Sequence, residues 1–598
     1  MRLTRWPAGF PQSRTRSVLL VTGAAAALVV AQGAAALAAP AAPGRAGQEK
    51  PLTAAQAAQL STNVDQHIIV FMKDQPAVSR ARSAMSARSA AISASQQPLL
   101  SELKQVHATH VITYRLDNAF AATVSAGEEA RLKANPEVAQ VIPDATIQGP
   151  VSNLSGATGT AKAAKRIKPI AGACLPHGKA QLEPEALSLT GVASSNSHAK
   201  TARSLGITGA GETVAYIADG IDPNNVNFKR ADGKSAITVY RDFTGDGTGV
   251  ASGAGGEAFG DANTIGGQGR HVYNVQNFSF QGLTQRCNIR IEGVAPGASI
   301  EALRVFGVNN STTTSAFLDA INFATVVDPV NVINESFGEN GFPDTSADAI
   351  KTFDNAAVAL GITVVVASGD SGPTSTIGSP ATDPQVISAG ATTDLRFYAM
   401  TNYGQADMFA KGWLNDNISP FSSGGFDAYG NTVDVTAPGD SSFASCSTNL
   451  KFYPDCASFG GKALGVEAFG GTSEASPWTA GIAALIDQAY QKTHGGSRPS
   501  PAVIKQIIMS TATSLGAPGD EQGAGLVNAY QAVKLAESIG LSRHTGSTLL
   551  TSVAAVSPAN PSPRQGQING LGNPGTPVTA TVDVTNTGSR SQTVHLSG

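Results

Sequence analysis

An α/β fold, a parallel sheet with helices on both faces, is what the sequence predicts for its long middle part, on three observations. Between residues 205 and 535 the apolar runs TVAYIAD, VNVINES, ITVVVASGD and QVISAGA are bounded by Gly or polar turns, as expected of strands buried on both faces. Between such runs Ile350, Phe353, Ala357 and Leu360 recur at helical spacing, with Gly361 as a stop signal. Strands alternating with helices pack as a sheet covered on both sides. The third observation is size: 598 residues, 41% of them hydrophobic, are too many for one small core, so two to four domains are expected.

The elements follow in chain order. Arg2, Arg5, Arg14 and Arg16 precede an apolar run from Val18 to Ala31, and Ala36, Leu37 and Ala38 offer small residues for cleavage, so residues 1–39 read as an export signal. No later run is apolar for long enough to span a bilayer, and the mature chain is expected to be secreted, with no membrane partner. Residues 41–60, rich in Ala, Gly and Pro, read as a linker. His67 to Lys73 (HIIVFMK) has strand character, a helical region follows, and YRLDNAFAATVS (114–125) with EEARLKANPEVAQVIPD (128–144) completes a small α+β unit over 60–146. Residues 147–185 are expected to be a linker or processing region, and 186–540 the α/β domain. From about 545 the chain is Pro and Gly rich up to PVTATVDVTN, where Val578, Ala580, Val582 and Val584 alternate. Asn586 to Ser589 then make a turn before Val594 and Leu596. Residues 545–598 therefore read as the opening hairpin of a β-sandwich, and since two strands do not hold themselves together in water, that domain is expected to be cut short.

Lys and Arg number 41 against 44 Asp and Glu, and no basic stripe carries interleaved aromatics, which excludes nucleic acid as a partner. Four cysteines in an exported chain favour disulfides over metal or redox chemistry. Cys446 and Cys456 are close in sequence, which leaves Cys174 with Cys287, and other pairings stay open. No spacing of cysteine and histidine looks like a zinc site. The residues point to no cofactor, and structural calcium stays open.

The stretch GGTSEASPWTAG (470–481) carries the chemistry. Gly470 and Gly471 permit a tight turn, and Pro477 is tolerated in the first turn of a helix bearing Ile482, Ile486 and Tyr490. Ser473 then sits at a helix N-terminus, where N–H groups and the helix dipole stabilise developing negative charge. That suits an acyl-transfer nucleophile, although a plain N-cap serine has the same surroundings.

GTSEASP resembles the serine motif G-T-S-x-x-x-P of the subtilisin and sedolisin peptidases. GVAPGA (293–298), VINESFG (332–338), SPATDPQVISAGAT (379–392), FSSGGF (421–426), DVTAPG (434–439) and GAGLVNAYQAV (523–533) stand in that family's order. The resemblance implies a subtilisin-like parallel sheet and a serine endopeptidase acting on protein or peptide substrates. Residues 60–146 resemble the inhibitor-type propeptide of subtilisin-like proteases, which implies that the chain's own propeptide inhibits it until cut away near 145–180.

The departures from that family are informative. VAYIADGID puts Ala218 where subtilisins carry aspartate and moves an acid to Asp219; GQGRHV has Gln268 at the catalytic histidine position, with His271 later; VVVASGDSG puts Asp370 at the oxyanion asparagine position. Sedolisins use a glutamate and an aspartate on one helix and an aspartate at the oxyanion position. GEAFGDANTIGG (256–267) offers Glu257 and Asp261 at i,i+4, which brings both carboxyls to one helical face. The resemblance thus implies Glu257 as general base for Ser473, Asp261 orienting it and sharing a proton, and a protonated Asp370 as oxyanion donor, with activity in acid. The calcium loop that closes most sedolisins has no match. A competing dyad is Asp219 with His271, the poorer geometric choice because a carboxylate shifted by one residue flips to the other face of a strand. Ser336, Phe337 and Gly338 resemble the strand edge along which an extended peptide pairs. Two rivals remain: an inactive peptidase-like binding protein, since Ala218 and Gln268 are what such decay would leave, and a serine hydrolase acting on esters.

Overall fold

The computed structural model describes residues 52–78, 82–149, 165–246, 256–338, 348–401, 417–427, 429–541, 547–557 and 579–594. The expected export signal, the core of the processing region at 150–164, and Leu596 lie outside them.

The first unit is an antiparallel sheet of β1 (Val64–Met72), β2 (Thr109–Thr113), β3 (Ala119–Ser125) and β4 (Val138–Pro143) in the order β2–β3–β1–β4, with helices α1 (Arg82–Gln105) and α2 (Ala126–Ala134). Alternation along β1 divides its apolar residues. Ile68 and Val70 pack with Leu99, Leu103 and Leu132 of the helices, whereas Ile69 joins the core of the following domain.

That domain is a sheet of seven parallel strands: β5 (Thr213–Ala218), β6 (Ile237–Asp242), β7 (Ser299–Arg304), β8 (Val332–Glu335), β9 (Thr363–Ala367), β10 (Ile387–Thr393) and β11 (Val435–Asp440). Their order is β11–β10–β9–β8–β5–β7–β6, and the parallel α/β architecture expected from the apolar runs is present. Ala215 and Ile217 of β5 face α4 (Thr314–Asn322) and α5 (Ala349–Leu360) through Phe317, Ile321 and Phe353. Val214, Tyr216 and Ala218 face α3 (Glu257–Gly266), α6 (Thr472–Thr493), α7 (Pro501–Thr511) and α8 (Ala529–Ser538). Covered on both faces, the strands carry no polar alternation.

The first unit seats on α4 and α5. The Tyr114 hydroxyl donates to Ser315 O at 2.9 Å, and its ring meets Phe353 edge-on at 5.2 Å. Asn322 Oδ1 accepts from the N–H groups of Arg115 and Leu116 at 2.8 and 3.0 Å. Thr146–Gln148 pairs antiparallel with Ser311–Thr313, and Asp144 accepts from Ser315 N and Oγ at 2.8 and 2.6 Å at the start of α4.

Two expectations are corrected. The strand Thr579–Asn586 pairs with Leu549–Ser557, which precedes it, and not with a strand at 594–596. The earlier strand is the one that is anchored: Leu550 is buried in the core, and Thr551 N donates to Ser510 Oγ of α7 at 3.1 Å. Val582 and Val584 stay exposed. Cys174 and Cys287 form a disulfide, but Cys446 and Cys456 keep free thiols, because the Cys456 sulfur turns to Glu467 Oε2 at 3.6 Å.

Glu335 at the end of β8 and Asp354 on α5 are wholly buried and face each other. Two carboxyl groups in contact form a hydrogen bond only when one keeps its proton. The other charged groups nearby are the carboxyls of Asp348 and Asp383, while Lys351 and Lys505 act on Asp383. Burial raises both members of the pair, Glu335 from 4.5 to about 8. Between those values the folded chain binds a proton that the unfolded chain has lost, so stability is full in acid and falls as pH rises, by about 1.4 kcal/mol per unit for each such group. Urea midpoints should therefore drop steadily between about pH 5 and pH 8. Glu335→Gln should make that slope visibly shallower; an unchanged slope contradicts the assignment.

Candidate active site

The strand order reverses between β5 and β8: from β5 the chain builds β6 and β7 on one side, then β8 to β11 on the other. In open α/β sheets the crevice beyond the carboxyl ends of the strands at such a point is where ligands bind. Asp219 follows β5, Ser336 follows β8 and Asp370 lies just past β9, so all three are delivered to that crevice. The N-termini of α3 and α6 come to it from one face of the sheet.

Ser473 is the second residue of α6, whose N-cap is Gly471 at φ 109°. A Cβ on Gly471 would lie 2.7 Å from Asp370 Oδ2, so the turn requires glycine twice over. Asp370 Oδ1 accepts from Thr472 N and Oγ1 at 2.8 and 2.9 Å, leaving Oδ2 to carry a proton. Crowding of its carboxyl by protein raises the Asp370 pKa, although an edge of the side chain reaches solvent. Ser473 is 7% exposed and its hydroxyl donates to Ser336 O at 3.1 Å. Its N–H, in the first turn, has no intrahelical acceptor.

Pro477 is not in the first turn as expected but is the sixth residue of α6. There its missing N–H deprives Ser473 O of the i+4 donor. Ser336 Oγ lies 3.0 Å from that carbonyl and substitutes for it.

All ten residues of α3 are buried, so its two carboxyls are not a solvated helix face. Asp219 Oδ1 accepts from Ala258 N at 2.7 Å and fixes the first turn, where Glu257 stands. The Glu257 carboxyl hydrogen-bonds with the Ser473 hydroxyl, and its Oε1 has no partner. Asp261 Oδ1 lies 2.6 Å from Ser336 Oγ, and Asn334 Nδ2, held by a bond from Ser476 Oγ to Asn334 Oδ1, donates to Ser336 Oγ at 2.9 Å. Ser336 has one proton and two acceptors, Asp261 Oδ1 and Ser473 O. A protonated Asp261 resolves the count, since it donates to Ser336 Oγ, which donates to Ser473 O. Burial, then the nearby Asp261 and Asp219 carboxylates, push Glu257 well up; burial first, with Asp219 adding, does the same to Asp261.

The structure thus brings Ser473, Glu257, Asp261 and Asp370 to one crevice. His271 is exposed, its ring edge-on to Tyr273 with centroids 4.6 Å apart, and makes no hydrogen bond to Ser473. Gln268 donates through Nε2 to Gly266 O and Pro296 O at 2.7 and 2.8 Å. Phe337 packs on Phe317 in the core, so of the expected strand edge only its backbone faces the crevice. Sequence reasoning missed Asn334 and the Ser336 hydroxyl; their place inside VINESFG was the available signal.

Residues 194–527, more than half of the chain, match the family model described as Subtilase family, and residues 66–149 match that of Peptidase inhibitor I9. Subtilisin DY of Bacillus licheniformis is 31% identical over 245 residues, which is 40% of this chain and 70% of that protein. Subtilisin NAT of Bacillus subtilis subsp. natto is 29% identical over 338 residues, 55% of this chain and 68% of that protein. An extracellular protease of Xanthomonas campestris pv. campestris is 30% identical over 256 residues, 41% of this chain and 37% of that protein.

Gly471→Ala should cost about 1–3 kcal/mol of stability through its backbone conformation. It should also reduce turnover more than stability, because Asp370 must give way to the new methyl group. Thermal unfolding and kcat measured on the same preparation check this; a variant with normal kcat contradicts the placement of Asp370.

Proposed function

Because the chain belongs to the subtilase family, we propose that its serine peptidase chemistry runs through Ser473 with a carboxyl base, Glu257, and an acidic oxyanion donor, Asp370. The observation that carries this reading is the hydrogen bond between the Glu257 carboxyl and the nucleophile's hydroxyl.

The pair Glu257 and Asp261 works singly protonated, titrating as a unit. Asp261 keeps its proton toward Ser336, and Glu257, ionised, takes the proton of Ser473 as Oγ attacks the scissile carbonyl carbon. The oxygen of the tetrahedral intermediate is stabilised by the Ser473 N–H and by a proton on Asp370 Oδ2. Glu257 returns its proton to the leaving amine. In the second half water attacks the acyl-enzyme, giving its proton to Glu257, and Ser473 recovers it as the acid leaves. Substrates are polypeptides lying extended along the backbone edge at Ser336 to Gly338. The first unit is the inhibitory propeptide, supported by its match and by its seat on α4 and α5. The basic and apolar leader and the secreted character of this reading place the enzyme outside the cell.

A second reading, Asp219 with His271 serving Ser473, is favoured by the subtilisin relatives. With denatured casein at about pH 4, Glu257→Gln should lower kcat by about 10²- to 10⁴-fold with KM little changed. Ser473→Ala should be inactive and His271→Ala near wild type. Retained activity in Glu257→Gln together with loss in His271→Ala establishes the second reading instead.

A further inference from the structure

We propose that Cys446, Cys456 and Glu467 bind a divalent cation of the zinc type, at a structural site behind the catalytic helix α3. The antiparallel strands Ser442–Ser445 and Val466–Phe469 bring Glu467 opposite Ala444 and so beside Cys446, and the intervening loop folds Cys456 back onto both. Both sulfurs and a carboxylate oxygen of Glu467 lie within 4.8 Å of one another. None of the three residues is more than 3% exposed. An ion at about 2.3 Å from thiolate sulfur and about 2.0–2.2 Å from carboxylate oxygen needs its donors clustered in this way.

The surroundings ask for positive charge. Glu467 Oε1 is buried without a hydrogen-bond partner. The charged groups acting on Glu467 are Asp455 and Asp219, with the Cys456 thiol, and no basic side chain is among them. A buried carboxylate without a cation is costly, and so is one that must keep a proton at neutral pH. Binding removes that cost: each thiol releases its proton to solvent, and two thiolates with one carboxylate face the dication.

A disulfide between the same cysteines satisfies the chain less well. The chain already closes Cys174 with Cys287, whereas here a carboxyl stands as third donor, and oxidation would take from Glu467 Oε2 the thiol that donates to it. The cluster also sits against the start of α3. A Cβ on Gly256, at φ 68°, would lie 2.8 Å from Glu467 Oε2, and Tyr453 of the same loop packs edge-on to Phe259 with centroids 5.1 Å apart. The ion would therefore fasten the loop against the helix that carries Glu257. The inference does not rest on the identity of the general base.

Protein purified without chelators should contain about one zinc per chain, and two thiols should titrate after denaturation with chelator and no reductant. Exchange of Zn2+ for Co2+ should produce a thiolate-to-cobalt charge-transfer absorption, lost in Cys446→Ser and Cys456→Ser. Glu467→Gln should bind Zn2+ about tenfold more weakly or worse. Chelation of the wild-type protein should lower Tm. Absence of titratable thiols in the unreduced, denatured protein would show a disulfide and overturn the proposal; two free thiols with no retained metal and no uptake of added Zn2+ would overturn it equally. The metal content and thiol count are read on wild type, so they stand even if a cysteine variant fails to fold.

Discussion

A carboxyl group removed from water, with no cation beside it, keeps its proton to a higher pH than it does in solution. The crevice of this protein is built from groups in that state. Glu257, Asp261 and Asp370 are all shifted upward with burial as the first cause, and so is Glu474, the residue after the nucleophile, which reaches about 8. On the opposite face of β8 the Glu335 and Asp354 pair repeats the arrangement. Acid chemistry and acid stability are then two results of one construction, since the same protons that satisfy the core also supply the donors in the crevice.

Delivery of those groups follows from the topology. The reversal of strand order leaves one gap at the carboxyl edge of the sheet, and the ends of β5, β8 and β9 empty into it. Two helices enter by their N-termini, where unpaired N–H groups favour negative charge. Pro477 and Ser336 couple these parts: the proline frees the Ser473 carbonyl, and the Ser336 hydroxyl bridges it to Asp261. The nucleophile's backbone and the second carboxyl are thereby held by one side chain.

Much of this was legible in the sequence, for identifiable reasons. Strands buried on both faces announce themselves as apolar runs, and the i,i+4 spacing of Glu257 and Asp261 states their common face once a helix is granted. Asn334 and Ser336 were not legible in their roles, because each acts through partners far along the chain: Ser336 is 75 residues from Asp261 and 137 from Ser473. The start of α6 was misjudged by a turn, since Pro477 is tolerated deeper in the helix when another group replaces its missing donor. Nearness in sequence suggested a disulfide at Cys446 and Cys456; it says nothing of the carboxyl that the neighbouring strand brings between them. The partner of Thr579–Asn586 was hidden for a similar reason, being set by the docking of Leu550 and Thr551 on the core and on α7.

The central claim is that a carboxyl pair, and not an imidazole, manages the proton of Ser473. The pH profile of kcat/KM, measured on wild type and on His271→Ala, tests it most directly. The account predicts a bell confined to acid, both limbs belonging to the coupled carboxyls and unmoved by the histidine replacement. A profile that instead rises through about pH 6.5 to a neutral or alkaline plateau, and loses that limb in His271→Ala, would contradict it.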